Sequence, residues 1–333
     1  MKILHAYHKN KPDHRIEREA YIAKQQGHQI IFLGMGAAEK PQLDVFDDFI
    51  TIRSVNNREV ATDESIRSEW AEVVSEIDPD IIHANDIIAA HFSSKLKTPM
   101  VYDDREYWSW QRIQFKSWPM WKRIAIRPFT NAIPKWEKEL ISKYVTITVS
   151  EGIAAEQRKI SPNIFVLRNF GLLSEFKDVP INPNREGIAY VGSDYNLKKF
   201  AKHRDLTGVK DLVSFDVFSG LPRQELYNKL SNYRFGLLPF RYSDYHKYVS
   251  ASKTYDYLNC GLQVIMTRVL YEAHDKLPFT YPFDEFTGLQ NIIDNTEYVN
   301  PKEILEYSHK NLVWETQGDL LQKAYVLALE LHE

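Results

Sequence analysis

The sequence contains almost no cysteine, since Cys260 is the only one among 333 residues. A single cysteine cannot form an intrachain disulfide or an all-cysteine zinc cluster. Long apolar runs are also missing, because no window approaches the roughly 18 uninterrupted apolar residues of a transmembrane helix. The segment that follows Met1 has a strand-like pattern and lacks the features of a signal peptide. These absences favour a protein of the reducing cytoplasm.

Several function classes are disfavoured by further absences. No Gly-x-Gly-x-x-Gly motif follows the first predicted strand, which argues against an NAD-dependent oxidoreductase. A net charge of −3 does not favour nucleic acid as the main partner. Hydrophobic residues make up 44% of the chain and aromatic residues 13%, which is enough to build a core. The length suits two domains of about 150 residues each.

The most informative stretch consists of two apolar runs, 235–239 and 262–266, with a helical pattern over 253–260 between them. Both runs are predicted to be buried strands of a parallel sheet. Ser252 stands where a helix N-cap is expected. The helix start then lies at the carboxyl edge of the sheet, where its N–H groups attract an anion. Asp256, one turn later, can face the hydroxyls of a ribose, so a nucleoside diphosphate is the predicted ligand.

The segment from Lys253 to Ile265, KTYDYLNCGLQVI, resembles the nucleotide-sugar motif of GT-B glycosyltransferases, in particular family-4-like enzymes (glycosyl transferases group 1). Those enzymes commonly read NKLFEYMAAGLPVI, and Asp256 falls on the acidic position that binds the donor ribose. The resemblance implies an α/β fold of the GT-B type, with two Rossmann-like domains facing each other across a cleft. The implied acceptor domain spans 1–176 and is completed by a helix at about 318–333. The implied donor domain spans 187–317, after a linker at 177–186.

The resemblance also implies a set of donor-binding residues. In the family, an arginine and, six positions later, a lysine follow a glycine and bind the donor diphosphate. Here Ser193 follows Gly192, and Lys199 occupies the lysine position. We expect Lys199 to act catalytically on the departing diphosphate, although a solvated pair with Lys198 is the alternative. The expected donor-binding residues are Gly192, Ser193, Lys198, Lys199, Ser252, Lys253 and Asp256.

Polar residues follow three predicted strands of the first domain. Because the carboxyl ends of parallel strands meet at one edge, we expect these residues to converge on a substrate cleft. A Val-Ser-Glu resemblance adds Ser150. The expected acceptor residues are His8, His83, Asp86, Arg105 and Ser150.

Arg105 stands where many relatives carry a histidine beside the acceptor or the donor sugar. An arginine cannot act as a base near neutral pH, but it can bind a phosphate or carboxylate in a bidentate manner. Arg105 and Asp103 are therefore expected, with Lys199, to be the catalytic residues. A salt bridge from Arg105 to Asp103 or Asp104 is the alternative.

The segment 105–127 has an unusual composition. It contains six basic residues and one acidic residue, with four tryptophans interleaved. This combination suits an anionic membrane surface or a lipid-linked acceptor. A helix that packs on its own domain is a second interpretation. Stacking on nucleic acid bases is a third, which the net charge disfavours.

The predicted function is transfer of a sugar from a nucleotide-diphosphate-sugar donor to a glycan, lipid-linked or other acceptor. The resemblance implies a retaining reaction without a metal or another cofactor. The expected location is the cytoplasm, with peripheral membrane contact through 107–127. Two alternatives remain open. Arg105, Ser193 and Tyr248 depart from the family pattern and leave room for a non-catalytic sugar-nucleotide or glycan-binding module, and a sugar-nucleotide epimerase can share the architecture.

Overall fold

The structure, a computed structural model, contains two parallel sheets. It describes residues 1–54, 59, 63–111, 119–192, 213–240, 246, 248–273, 276–284 and 286–332. One sheet has seven strands and the other has five. The chain divides into two compact units, 1–167 with 317–333, and 168–316. The predicted α/β class is confirmed.

The seven-stranded sheet forms the centre of the first unit. Its strand order is β3-β2-β1-β4-β5-β6-β7. The strands are β1 Lys2–Ala6, β2 Gln29–Met35, β3 Asp48–Ile52, β4 Ile81–Ala84, β5 Met100–Asp104, β6 Val145–Thr148 and β7 Ile164–Val166. The helices are α1 His14–Gln25, α2 Glu64–Ile77, α3 Ile87–Ser93, α4 Trp108–Gln111, α5 Met120–Ala125, α6 Arg127–Lys143, α7 Glu151–Gln157 and, at the far end of the chain, α14 Gly318–Glu330.

Helices cover both faces of this sheet, which explains its almost continuous apolar strands. On one face, α2, α3 and α6 bury their apolar sides in a common cluster with Leu4 and Ile82. On the other face, α1 and α14 place Glu19 and Tyr325 near His83. This second face is therefore polar at its centre, although it is fully buried.

The five-stranded sheet forms the second unit. Its order is β12-β11-β10-β8-β9. The strands are β8 Glu186–Val191, β9 Asp216–Phe218, β10 Tyr233–Leu238, β11 Gln263–Thr267 and β12 Thr280–Phe283. The helices are α8 Leu173–Phe176, α9 Arg223–Leu230, α10 Ser252–Asn259, α11 Arg268–Ala273, α12 Leu289–Asn295 and α13 Pro301–Asn311, and short 3₁₀ turns occupy Phe286–Gly288 and Trp314–Gln317.

One local prediction needs correction. Ser252 is the first residue of α10 rather than its N-cap, because its N–H donates to the Ser250 carbonyl and leaves Ala251 at the cap position. Helix α6 begins at Arg127 and accommodates Pro134 internally. Strand β9 lies at the edge of the sheet and pairs with β8 alone.

Among the helices that the structure describes, none combines the length and the apolar composition needed to cross a membrane.

Candidate functional site

The carboxyl edge of the five-stranded sheet carries the predicted donor residues that lie in the described part of the chain. Strands β8 and β10 are parallel neighbours, so both end at this edge. Gly192 follows β8 directly, and the loop that leaves β10 leads to the start of α10. In a strand–helix–strand unit, the helix start also lies at the carboxyl edge. Ser193, Lys198 and Lys199 lie outside the described residues.

Two glycines allow close packing at this edge. A Cβ atom on Gly192 would lie 2.5 Å from the Tyr190 hydroxyl, so no side chain fits there unless Tyr190 moves. A Cβ atom on Gly236 would lie 2.3 Å from the ring of Tyr257. The Tyr257 hydroxyl accepts the Val191 N–H at 2.8 Å. Tyr257 therefore fixes α10 directly over β8 and β10.

The two ends of α10 differ in whether a side chain offsets the partial charge of the helix dipole. No side chain caps the N-terminal end, where Lys253 is the second helical residue. At the C-terminal end, Arg185 Nη1 donates to the Cys260 carbonyl oxygen at 2.7 Å. Arg185 thus offsets the negative end of the helix, while the positive end has no side-chain cap and its Ser252 and Thr254 N–H groups donate to the carbonyl oxygens of Ser250 and Ala251. Burial raises the pKa of the Cys260 thiol well above its ordinary value, so this cysteine is not a nucleophile.

Asp256 is half-buried one turn into α10, and Tyr227 holds its carboxylate. The Tyr227 hydroxyl donates to Asp256 Oδ1 at 3.1 Å. Tyr227 is itself buried, and its ring stacks on Phe176 with the ring centroids 4.7 Å apart. A carboxylate held in this way can accept hydrogen bonds from the hydroxyls of a ribose. Sequence reasoning did not identify Tyr227, because its role depends on contact with a helix that comes later in the chain.

The polar residues of the first unit separate into a pair whose histidine is partly exposed and a buried network. His8, just beyond β1, is 23% exposed, and its Nδ1 lies 2.6 Å from Asp86 Oδ2. Asp86 also caps α3, since its Oδ1 accepts the N–H groups of Ile88 and Ala89. Burial acts to raise the pKa of Asp86, but His8 and these backbone donors hold it below its ordinary value. The predicted acceptor residues His8 and Asp86 are thus brought together.

Arg105 lies in the buried network. Its Nη1 donates to both carboxylate oxygens of Asp13, at 2.9 and 2.7 Å, and its Nη2 donates to the Asn85 carbonyl oxygen. The salt bridge to Asp103 that the sequence left open is present at 3.5 Å. Although burial opposes the charge, Asp13 and Asp103 hold the pKa of Arg105 above its ordinary value. The guanidinium is therefore engaged within the protein.

Three further predicted residues also have partners inside the protein. Asp103 is fully buried and accepts two hydrogen bonds from Arg15, at 2.9 and 3.1 Å. His83 is fully buried, with Nδ1 2.9 Å from the Tyr325 hydroxyl. Ser150 caps α7, since its hydroxyl accepts the Ile153 N–H.

One group among the described residues has the geometry for a metal ion: His5, Glu19 and His83 have potential ligand atoms within 4.8 Å of one another. The surrounding charges do not favour a cation, because Arg15 Nε lies 2.9 Å from Glu19 Oε1. Burial also lowers the pKa of both histidines and raises that of Glu19. The group is therefore best described as part of the buried polar core, with Glu19 paired to Arg15.

An open cavity of about 330 Å³ lies beside the loop between β1 and α1, lined by residues 7, 9–14, 17 and 42. Lys9 and Lys11 supply positive charge to its wall, and Asp13 and Glu17 supply negative charge. The mixture suits a ligand rich in hydroxyl groups, because such a ligand both donates and accepts hydrogen bonds.

No protein-family model matches the sequence, and no curated protein sequence is significantly similar to it. The structure, in contrast, is similar to solved structures. Sucrose-phosphate synthase from Thermosynechococcus elongatus has a TM-score of 0.70 at 10% identity, over 99% of this chain and 100% of that chain. HepE from Anabaena, in complex with UDP and glucose, has a TM-score of 0.61 at 12% identity, over 98% and 100%.

A candidate UDP-N-acetylglucosamine 2-epimerase from Listeria monocytogenes has a TM-score of 0.57 at 10% identity, over 99% of this chain and 97% of that chain. At such low identity these likenesses concern the fold alone. They confirm the two-domain α/β fold of the GT-B type.

Proposed function

On the premise of a GT-B fold, we propose that this chain is a glycosyltransferase. It moves a sugar from a nucleotide-diphosphate-sugar donor to a glycan, a lipid-linked acceptor or another hydroxyl compound. The observation that carries the proposal is the combination of Gly192, the uncapped start of α10 and the Tyr227-held Asp256 at one sheet edge. The likeness to HepE, which holds UDP and glucose, supports a nucleotide sugar as the ligand.

Each part of this edge has a role in donor binding. The diphosphate binds at the start of α10, where the helix dipole and the charge of Lys253 both favour an anion. Gly192, directly after β8, leaves room for the Tyr190 hydroxyl beside this site. Asp256 accepts hydrogen bonds from the ribose hydroxyls. Ser193, Lys198 and Lys199 complete the proposed donor set, with Lys199 as the principal cation.

The proposed reaction breaks the bond between the sugar C1 and the diphosphate oxygen, and the electron pair leaves with the diphosphate. The acceptor hydroxyl oxygen forms the new bond to C1, and its proton passes to the oxygen of the departing diphosphate. Lys199, Lys253 and the positive end of α10 stabilise the charge that develops on the diphosphate, so that no metal ion is needed. Retention of configuration at C1 is part of the proposal on the basis of the resemblance.

We assign acceptor binding to the first unit. The pair His8–Asp86 and the cavity beside the β1–α1 loop offer donors and acceptors for sugar hydroxyls. Arg105 and Asp103 support this site by fixing the loop that carries Asp13. This assignment modifies the expected role of Arg105 from direct catalysis to positioning.

The direct test is to incubate the purified chain with a mixture of UDP-, GDP-, ADP- and dTDP-sugars and to identify the retained compound by mass spectrometry. The retained donor is then supplied with sugar and lipid-linked acceptors, and the products are identified. We expect one donor to be retained and to lose its sugar in the presence of an acceptor. Retention of no nucleotide sugar by the folded chain would overturn the proposal.

Two observations favour the alternative functions, and the same experiment distinguishes them from a transferase. The engagement of Arg105 by Asp13 and Asp103 favours a non-catalytic binding module, for which the donor is retained but never consumed. The likeness to the candidate epimerase favours an epimerase, for which nucleoside diphosphate is released without any acceptor.

A further inference from the structure

Helix α5 exposes an unusual amount of apolar surface. Met120, Trp121 and Ile124 are 67%, 67% and 65% exposed, more than any other large hydrophobic side chain in the described part of the chain. All three belong to one helix of six residues. Single exposed apolar residues are common, but three in one helical turn form a patch.

The patch has a defined geometry. At 100° per residue, Met120, Trp121 and Ile124 fall within an arc of about 100° around the helix axis. Lys122 and Arg123 fall on opposite sides of this arc, and both are exposed. Lys122 Nζ lies 5.2 Å from the centroid of the Trp121 ring, so the charge sits at the border of the apolar face. Helix α5 is therefore amphipathic, with its apolar face flanked by positive charge.

The charge around α5 is concentrated and has one sign. Between Glu106 and Glu137 the sequence contains six lysines and arginines and no acidic residue. This segment carries +6, whereas the whole chain carries −3, so the remainder carries −9 as the difference between the two. Arg127, in the first turn of α6, is exposed next to α5. The sequence segment that contains α5 is thus net positive, whereas the rest of the chain is net negative.

We infer that α5 docks on the surface of an anionic lipid bilayer. Met120, Trp121 and Ile124 enter the boundary between headgroups and acyl chains, and Lys122, Arg123 and Arg127 contact lipid phosphates. An apolar arc bordered by lysine and arginine on both sides is the arrangement of an interfacial helix. The inference does not depend on the proposed transferase activity.

A membrane fits this surface better than a nucleic acid does. Single-stranded nucleic acid binds through aromatic side chains that stack on successive bases. Within the apolar arc only Trp121 can stack, whereas Met120 and Ile124 offer flexible or branched aliphatic surface that suits acyl chains. The negative charge of the remaining chain also opposes contact with a long polyanion, but it does not hinder docking through one small surface.

The test is flotation of the full chain with vesicles of phosphatidylcholine alone and of phosphatidylcholine with about one quarter phosphatidylglycerol. We expect binding to the anionic vesicles, weakened at least about tenfold when the salt concentration rises from about 0.1 M to 0.5 M, because salt screens exposed charge. Binding to neutral vesicles should be at least about tenfold weaker.

Two sets of variants test the two components of the surface. The double variant Trp121→Ser/Ile124→Ser should bind anionic vesicles at least about tenfold more weakly than the wild type. The double variant Lys122→Gln/Arg123→Gln should show a similar decrease in affinity, and its binding should depend much less on the salt concentration. All four side chains are exposed, so the unfolding transitions should match that of the wild type. The matched control is Ile181→Ser/Lys302→Gln, which changes exposed residues of the second unit.

Several outcomes would overturn the inference. They are equal binding to neutral and anionic vesicles, unchanged binding of both α5 variants, or loss of binding in the control variant. Preferential binding of an oligonucleotide, lost in the same α5 variants, would instead assign the surface to nucleic acid. Absence of any vesicle binding by the folded wild type would overturn it as well.

Discussion

His8 and Asp86, 78 residues apart in the sequence, form one rigid pair. Asp86 Oδ2 lies 2.6 Å from the His8 ring Nδ1 and accepts the His8 backbone N–H at 3.1 Å. Its other oxygen caps α3. Because the carboxylate is fixed by backbone donors, it orients the His8 ring with Nδ1 toward itself. Nε2, on the opposite side of the ring, is then the nitrogen that can contact an acceptor hydroxyl.

The first prediction concerns this pair. His8→Ala should lower kcat/KM for the acceptor by about 10- to 100-fold, because a positioned polar contact to the hydroxyl is lost. Nucleotide affinity should be unchanged, since the nucleotide is assigned to the second unit. Steady-state kinetics with varied acceptor, together with nucleotide titration, measure both. The exposed His332→Ala is the control, and a His8→Ala variant with unaltered acceptor kinetics would remove His8 from the site.

The second prediction separates structural from ligand-binding roles of Arg105. Arg105→Ala should lower the free energy of unfolding by about 1–3 kcal/mol, because Asp13 loses its charged partner and Asp103 keeps only Arg15. The exposed Arg53, which pairs with Glu69, serves as the control, and its replacement by alanine should cost less than about 1 kcal/mol. Denaturant unfolding measures both. Unchanged stability with lost substrate binding would instead show that Arg105 binds the substrate.

The third prediction concerns Tyr227, which positions Asp256. Tyr227→Phe keeps the stacked ring but removes the hydroxyl that donates to Asp256. One hydrogen bond of this kind contributes about 0.5–1.5 kcal/mol, so affinity for the nucleoside diphosphate should fall about 2- to 12-fold. Thermal unfolding should be nearly unchanged. If affinity is the same in the variant, Asp256 does not need this support.

The fourth prediction is a pH dependence. Burial, with smaller contributions from Arg67 and Lys95, lowers the pKa of His91 to about 4. The unfolded chain protonates His91 near pH 6.5. The associated stability is therefore complete above pH 6.5 and is lost as the pH falls from 6.5 toward 4. His91→Gln removes this contribution.

The loss of stability between pH 7 and pH 5 should accordingly be smaller in His91→Gln than in the wild type, by about 1–2 kcal/mol. Denaturant unfolding at the two pH values gives this difference. Parallel pH profiles of the two proteins would contradict the burial of a neutral His91 ring.

Local sequence patterns were sufficient for most of the fold. The two apolar runs 235–239 and 262–266 and the helical pattern between them predicted the strand–helix–strand unit around α10, which the structure contains. These elements are determined mainly by residues close to one another in the sequence, so a local pattern is enough to predict them. The prediction of Ser252 as the N-cap was wrong, because the hydrogen bond from its N–H to the Ser250 carbonyl in the preceding loop decides where the first turn begins.

The candidate site was less predictable, because its contacts join distant segments. Arg105 reaches Asp13 across 92 residues, and His83 is buried by Tyr325, which is 242 residues later. A polar residue after a strand predicts a position at the sheet edge, but it does not reveal whether another helix covers it. For this reason His8 and His83, which the sequence places in equivalent positions, differ in exposure.

The central claim is that the start of α10 and Asp256 bind a nucleoside diphosphate. Calorimetric titration of UDP, GDP, ADP and dTDP into the wild type, Asp256→Ala and Glu306→Ala tests it most directly. Glu306 is an exposed acid of the same unit, 71% accessible on α13. We predict that one nucleotide binds, that Asp256→Ala weakens it at least about tenfold because charged hydrogen bonds to the ribose are lost, and that Glu306→Ala has no effect. Equal affinity in Asp256→Ala and wild type, or no nucleotide binding by the folded wild type, would contradict the account.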